Sequence, residues 1–307
     1  MARASGAARL RNGCLDMVQI VGLILILLLI TGGLALSGGP AILSALPFEL
    51  SLLLGAGIAT VLIGNSTSTA VAAFKGFAQV FRGTKWTAND HSDLLITLHE
   101  FIRRAKTGGL IAIENDIEQP ETSDLFKANP ALLADQQATA LICDGFRLLA
   151  MDPAAKSRLR PQLEEQVAAI VEERQRASSA LHTLADALPA LGIVAAVLGI
   201  IKTMGFIDSE PMILGEMIAA ALLGTFLGVF LSYGVVGPIA SRLTQITHEE
   251  ALYLDTIQTV ISGHAEGLAP RTNIELARNL LPLSLRPTLA DIDKGISEIR
   301  FKLRKTA

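Results

Sequence analysis

Four long apolar stretches divide the chain, and the segments between them are rich in charge. The stretches cover residues 17–37, 49–66, 187–206 and 213–239. Each comes close to the roughly 20 residues that an α-helix needs to cross the hydrocarbon core of a bilayer. Pro40 and Pro47 lie between the first two stretches, and Pro211 lies between the last two, where turns are expected. The pattern predicts four transmembrane helices.

The charged segments have a helical period of their own. Between the second and third stretches, apolar residues recur at helical spacing, as in Leu94, Leu98 and Phe101 and again in Leu141, Ile142, Phe146 and Leu148. The expected fold is an all-α membrane protein with four transmembrane helices and a large cytoplasmic helical domain. That domain is formed by residues 67–186 and rejoined by C-terminal helices in 240–307.

Basic residues indicate the orientation. Lysine and arginine are frequent between the second and third stretches, whereas the short connections Ser37–Pro47 and Gly205–Glu216 contain neither. By the positive-inside rule, both termini and the large domain are expected to be cytoplasmic. Residues 1–16 form a basic cytoplasmic extension, and the stretch after it is too long for a cleaved signal peptide. Met1 and Met17 are both candidate translation starts.

Composition narrows the class of function. Half of the residues are hydrophobic and the mean hydropathy is +0.46, but the net charge is only -3. Without a basic stripe, nucleic acid is not an expected partner. Cys14 and Cys143 match no metal-ligand spacing, so neither a metal nor another cofactor is expected. His99, His182, His248 and His264 lie in charged segments. We interpret these four histidines as solvated surface residues. No catalytic residue is predicted, and the chain is not expected to be an enzyme.

Small residues predict where the membrane helices meet. Gly192 lies four residues before Ala196, Gly199 lies four after Ala195, and Gly224 lies four before Gly228. In lipid, helices associate by close packing at such positions rather than by burial of apolar surface. We therefore expect Gly192, Gly199, Gly224 and Gly228 to line helix contacts.

The predicted spans lack an ionisable residue near their middle, so a coupling carboxylate would have to come from another chain. Thr225 is the polar candidate in the fourth helix, and the alternative is a hydroxyl bonded to the carbonyl one turn earlier. Pro189 and Pro238 lie near the start of the third helix and the end of the fourth. On residues alone, the first is a helix-start proline and the second a kink or a helix end.

Taken together, these segments resemble the MotA-type stator proteins of the bacterial flagellar motor. The matching motifs are Pro47–Leu50, Gly55–Ile58, Ile63–Asn65, Glu114–Glu118, Ala185–Ala196, Gly224–Gly228, Ser232–Gly234, Pro238–Ala240 and Arg286–Pro287. The resemblance implies a stator subunit that converts transmembrane ion flow into torque. It implies a homopentamer around a MotB-type single-span partner whose essential aspartate supplies the carboxylate, and a rotor switch protein of the FliG type as the surface pushed.

The resemblance also implies roles for particular residues. Pro189 and Pro238 match the family's two coupling prolines, Thr225 matches the threonine facing the partner aspartate, and Tyr233 belongs to a matching motif on the same helix. Glu114 matches the acid that faces the rotor. Its basic counterpart, commonly arginine, is here Lys106, with Arg103 nearby to share the role. The alternative is that Lys106, Glu114 and Arg103 are ordinary solvated charges.

Ala196 bears on the coupling ion. Sodium-driven relatives place a threonine at this position, and alanine offers no oxygen ligand, so H⁺ is favoured over Na⁺. The alternative function is that of a TolQ/ExbB-like energiser of an envelope process. Those relatives usually have three spans, and the extra N-terminal pair predicted here favours the motor type.

Overall fold

The regular structure is helical throughout the part of the chain that can be described. The computed structural model describes residues 18–33, 36, 39–151 and 156–306; the predicted extension 1–16, Cys14 and Met17 lie outside them. The α-helices are α1 Val18–Gly33, α2 Gly39–Gly64, α3 Thr67–Gln79, α4 Ala88–Gly108, α5 Ile111–Glu118, α6 Asp124–Lys127, α7 Pro130–Ala134, α8 Gln136–Met151, α9 Lys156–Met204, α10 Pro211–Phe230, α11 Gly237–Ala265, α12 Pro270–Leu280 and α13 Leu289–Thr306. A π-helical segment, Leu231–Val236, joins α10 to α11.

The chain divides into two compact units. The first, here called the apolar unit, contains the described residues up to Gly83 together with Glu173–Thr247. The second, here called the polar unit, contains the described residues of Thr84–Glu172 and of the chain from His248 onward. These divisions fall at other positions than the predicted boundaries after residues 186 and 239.

Three helices are long and apolar enough to cross a membrane. They are Ser44–Gly64 within α2, the helix Lys156–Met204, and the helical run Pro211–Ala265. Helix α1 is also apolar but shorter within its described residues. Many large apolar side chains of the apolar unit are exposed, among them Leu54, Ile201 and Leu222. Such exposure is unfavourable in water and is expected where lipid covers the surface.

The helix bounds differ from the predicted spans in two informative ways. Helix α2 begins at Gly39 and continues through Pro47, whereas the predicted span began at residue 49. Helix α9 runs unbroken from Lys156 to Met204. Pro189 therefore lies deep inside a helix, and the interpretation as a helix-start proline is wrong.

The apolar unit is held together by side chains from α2, α9 and α10. Leu53 on α2 packs with Leu223 and Leu227 on α10, and each of these three is at most 5% exposed. A second cluster joins α3 to the parts of α9 and α11 that belong to this unit, with Ala73, Leu181 and Leu243 buried in it. These contacts fix the surroundings of α10.

The core of the polar unit is organised around α4. Thr87 caps this helix, because its hydroxyl accepts a hydrogen bond from the Asp90 amide while the Asp90 carboxylate accepts one from the Thr87 amide. The predicted apolar face is inside: Leu94, Leu98 and Phe101 are each 0% exposed. The helix ends at Gly109, whose φ of 73° favours glycine.

An aromatic stack anchors the start of α4 to α11 in the polar unit. The rings of Trp86 and Tyr253 lie parallel with centroids 3.8 Å apart, and the edge of His91 meets Tyr253 at 5.4 Å. Burial lowers the pKa of His91 to about 4, although Asp90 opposes the shift. His91 is therefore neutral at physiological pH and packs as an aromatic ring.

Trp86→Ala should destabilise the polar unit strongly. It removes a side chain that is only 4% exposed and leaves a cavity against Tyr253, so we expect a loss of about 3–5 kcal/mol in the free energy of unfolding. Circular dichroism of the detergent-solubilised protein during heating measures the effect. The control is Leu283→Ala at a side chain 84% exposed, where a change within about 0.5 kcal/mol is expected. Equal melting temperatures of the two variants would contradict the assignment.

Candidate functional site

The contact between α9 and α10 is made where neither helix has a side chain. A Cβ atom built on Gly192 would lie 2.8 Å from the carbonyl oxygen of Gly224 and 3.1 Å from the Cα of Gly228. One built on Gly228 would lie 2.6 Å from the carbonyl oxygen of Leu188. Real Cβ atoms do not approach backbone this closely, so the two helices meet backbone to backbone.

The other predicted packing glycine extends the same contact. A Cβ atom on Gly199 would lie 2.6 Å from the Cβ of Ala221 on α10. The structure thus brings Gly192, Gly199, Gly224 and Gly228 into one contact, here called the glycine seam. Its contacts at Gly192 and Gly228 are with backbone atoms of the other helix.

Thr225 and Ala196 both lie at the glycine seam. The Thr225 hydroxyl donates a long hydrogen bond of 3.4 Å to the Gly192 carbonyl on the opposite helix. The alternative, a bond to its own helix one turn earlier, is not the one formed. Ala196 is 6% exposed, and its amide nitrogen lies 3.5 Å from the Cβ position of Gly224.

An open apolar groove of about 540 Å³ runs along the outer side of α10 and the π segment. It is lined by Ile26, Ile30, Thr225, Phe226, Val229, Phe230, Tyr233 and Gly234. Tyr233 is 73% exposed, so its ring can meet a further element. The groove therefore unites the two predicted partner-facing residues Thr225 and Tyr233, while Ala196 lies away from it inside the seam.

Pro189 lies inside a continuous α-helix, and Pro238 lies next to the π segment. Pro189 has no amide hydrogen, so inside α9 the Ala185 carbonyl loses its usual helical partner. Pro238 is the second residue of α11 and directly follows the π segment, in which the Gly237 amide bonds the Ser232 carbonyl five residues back. A π turn is a common means of accommodating such an interruption without ending the helix.

One buried carboxyl group was missed by the sequence analysis. Glu49 is 6% exposed, and its Oε2 atom has no hydrogen-bond partner and essentially no solvent contact. It lies inside α2, within the membrane-capable stretch Ser44–Gly64. From the sequence, only ionisable residues near the middle of the spans were considered, so Glu49, the first residue of the second predicted span, was not singled out. Interpreting Pro47 as a helix break had placed Glu49 at the edge.

In the polar unit, several arginine side chains surround a second buried carboxylate, that of Glu100. Glu100 is 1% exposed and pairs with Arg103 one turn later, while Arg104 and Arg300 approach it at 3.6 Å. Arg104 also pairs with Asp116 at 3.3 Å. Burial alone would raise the pKa of Glu100, but Arg103, Arg104 and Arg300 outweigh it and hold the pKa below its ordinary value.

Of the three predicted rotor residues, Arg103 belongs to this cluster, whereas Lys106 and Glu114 do not. Arg103 is held by Glu100 and is only partly exposed. Lys106 and Glu114 are both exposed, on α4 and α5, which are joined by Gly109 and Leu110. The Lys106 ammonium group reaches the Leu268 carbonyl at 3.5 Å. Only the Glu100–Arg103–Arg104 spacing was visible in the sequence; its burial and the approach of Arg300 depend on tertiary packing.

The histidines lie in environments that differ in burial. His99 is 7% exposed, so its interpretation as a solvated surface residue is wrong; burial, with Arg300 next, lowers its pKa. His182 and His248 are exposed, and His264 is half-buried. Within the described ranges, no three side chains of His, Cys, Asp or Glu converge to hold a metal ion.

Two family models match the chain. The model described as "Motility protein A N-terminal" matches residues 20–109. The model described as "MotA/TolQ/ExbB proton channel family" matches residues 133–256. Together they include α2, α4, α9 and the glycine seam.

Curated relatives match over nearly the whole chain. Motility protein A of Escherichia coli is 29% identical over 290 residues, covering 94% of this chain and 98% of the relative. Chemotaxis protein LafT of Vibrio parahaemolyticus is 28% identical, covering 92% of this chain and 99% of the relative.

Solved structures share the fold. A chain of the MotAB structure from C. jejuni superposes with a TM-score of 0.70 at 21% identity, covering 89% of this chain and 99% of that chain. A chain of the flagellar MotAB stator complex from Bacillus subtilis gives 0.65 at 22% identity, covering 92% and 98%.

Gly192→Ala should weaken the glycine seam. Its methyl group would meet the Gly224 carbonyl, which cannot move aside as a side chain could, so we expect a loss of about 1–3 kcal/mol in the free energy of unfolding. Gly215→Ala on α10 is the control, because nothing lies within 4 Å of its Cβ position. Thermal unfolding in detergent compares the two, and an unchanged melting temperature for Gly192→Ala would count against the seam.

The Glu100 cluster should make the folding stability depend on pH in the acidic range. Because the folded-state pKa lies below the ordinary 4.5, the stabilisation is complete above about pH 4.5 and is lost as the pH falls through the folded value. Glu100→Gln should be less stable at pH 7 and should lose less stability on acidification than the unmodified chain. Glu121→Gln, at an exposed carboxylate, is the control. Parallel melting curves against pH for all three proteins would refute this role.

Proposed function

The chain belongs to the MotA-type stator family of proton channel proteins, as its motifs indicated, and on this premise we propose how it generates torque. It is a flagellar stator subunit that forms an ion-conducting complex with a MotB-type partner. The observation that carries the mechanism is the open groove in which Thr225 and Tyr233 lie together.

The proposed topology has four spans, with α1 and α2 as one pair and the apolar parts of α9 and α10 as the other. Both termini and the polar unit are cytoplasmic, and the protein lies in the bacterial inner membrane. The basic-free connection between α9 and α10 and the apolar surface of α2, α9 and α10 support this arrangement.

The proposed complex is a pentamer of this chain around a dimer of the single-span partner. The partner helix lies against α10, so that its essential aspartate faces Thr225. An apolar groove that is open on one side suits a neighbouring helix, and the hydroxyl groups of Thr225 and Tyr233 offer polar contacts within an apolar surface. Passage of an ion past the aspartate turns the pentamer around the anchored dimer.

Protons are the proposed coupling ion, and Na⁺ is the less favoured alternative. Ala196 and the seam glycines present no side-chain oxygen, and Thr225 with the Glu49 carboxyl group provides few ligands to replace a sodium hydration shell. A proton needs only a carboxylate and a hydrogen-bonded path. No other cofactor is proposed.

The proposed rotor contact is made by Lys106 and Glu114 on a FliG-type switch protein. Both side chains are exposed and can meet charges on another surface, although the Lys106 ammonium group also contacts the Leu268 carbonyl, whereas Arg103 is engaged by Glu100. Arg103 then acts by holding α4 in shape, with its exposed part available to share the contact.

Deleting the gene tests the function directly. The expected result is paralysed cells with normal numbers of filaments under the electron microscope, with swimming restored by the unmodified chain in sodium-free medium. Undiminished swimming would contradict an essential stator role and favour the TolQ/ExbB-like alternative. Rescue that requires sodium would overturn the proton assignment.

Glu114→Lys tests the rotor contact. Reversing an exposed charge should reduce swimming speed and torque while membrane levels of the protein stay normal, because Glu114 buries no apolar surface. Glu121→Lys makes the same reversal at another exposed position and should swim normally. Loss of Glu114→Lys from the membrane would assign Glu114 to folding instead.

A further inference from the structure

The buried Glu49 carboxyl group is the feature of the apolar unit that the proposed mechanism does not use. It lies ten residues after the start of α2 at Gly39, about 15 Å along the helix axis. Its side chain is more than nine-tenths buried. Within the described residues it forms no hydrogen bond or ion pair through Oε2.

The carboxyl group points at the glycine seam. Its Oε2 atom lies 2.9 Å from the position that a Cβ on Gly224 would take, and the Cβ of Ala195 and the amide nitrogen of Ala196 lie 3.0 Å and 3.5 Å from the same point. Glu49 therefore occupies the space that Gly224 leaves open, one residue before Thr225. It brings a titratable group from α2 to the contact between α9 and α10.

The charged residues on neighbouring elements do not neutralise it. Lys75 on α3 and Glu216 on α10 are both exposed. On the part of α9 in this unit, the ionisable residues are Glu173, Arg174, Arg176, His182, Asp186 and Lys202. No ion pair found among the described residues includes Glu49. An Oε2 atom that is buried without a hydrogen-bond donor or cation disfavours the charged carboxylate, so this packing favours the protonated acid.

We propose that Glu49 is a second proton-binding group of the ion pathway, beside the partner's aspartate. This inference rests on the proposed function. The Glu49 carboxylate accepts a proton when one enters the complex and becomes the neutral acid that packs against Gly224. It returns the proton to the pathway at the seam and is restored as the carboxylate, so each turnover moves one proton and consumes no other reactant.

A neutral replacement separates proton exchange from packing. Glu49→Gln keeps the size and a hydrogen-bonding end but cannot take up or release a proton. It should assemble with the partner and reach the membrane at normal levels, while proton flux into vesicles containing the purified complex and swimming speed fall about tenfold or more. Glu49→Asp keeps the carboxyl group and should retain part of both activities.

Glu216→Gln is the matched control, because it removes an exposed carboxyl group by the same change. It should conduct protons and support swimming like the unmodified chain. If Glu49→Gln also conducts and swims normally, Glu49 is a structural acid and the proposal is overturned.

Infrared spectroscopy tests the bound proton without relying on motility. The chain is labelled with glutamate carrying ¹³C in its side-chain carboxyl group, so that the partner's aspartate is not shifted. At neutral pH the complex should show a protonated ¹³C-carboxyl band that Glu49→Gln abolishes and Glu216→Gln leaves unchanged. Absence of this band from the unmodified complex would overturn the proposal. A band present in a complex that fails to restore swimming would overturn the stator function alone.

Discussion

The close approach of α9 to α10 is the constraint on which the apolar unit depends. Lipid removes the hydrophobic advantage of burying one apolar helix against another, so stability must come from contact distance. Gly192 and Gly228 allow the two backbones to touch. The same proximity lets the Thr225 hydroxyl reach a carbonyl of the other helix and leaves room at Gly224 for a carboxyl group from α2.

The polar unit is stabilised differently, because water hydrates the charges on its surface and weakens ion pairs there. Glu100 is buried away from water, and arginines of its own helix and of α13 neutralise its charge. The result ties a distant part of the chain to α4 through charge, while the apolar face of α4 supplies the core. Lys106 and Glu114 are exposed on α4 and α5, and the buried Glu100 cluster holds these two helices together through Arg104 and Asp116.

Periodicity and small-residue spacing predicted much of this arrangement. Leu94, Leu98 and Phe101 are buried as their spacing required, and the glycines of α9 and α10 meet. The misplaced helix bounds share a cause, because each proline was interpreted from its local sequence alone. Pro47 and Pro189 both lie inside continuous helices, because neighbouring helices stabilise what propensity alone disfavours. Glu49 was therefore misplaced, and neither its burial nor that of Glu100 could follow from spacing within one helix.

The π segment Leu231–Val236 changes how positions along this helix correspond to directions in space. A π turn holds about one residue more than an α turn, and one residue in an α-helix is a rotation of about 100°. The small-residue face defined by Gly224 and Gly228 therefore cannot be extended by counting in fours to Ala240 or Thr244. Residues before and after the π segment that contains Tyr233 therefore share a helix face only if this extra rotation is included.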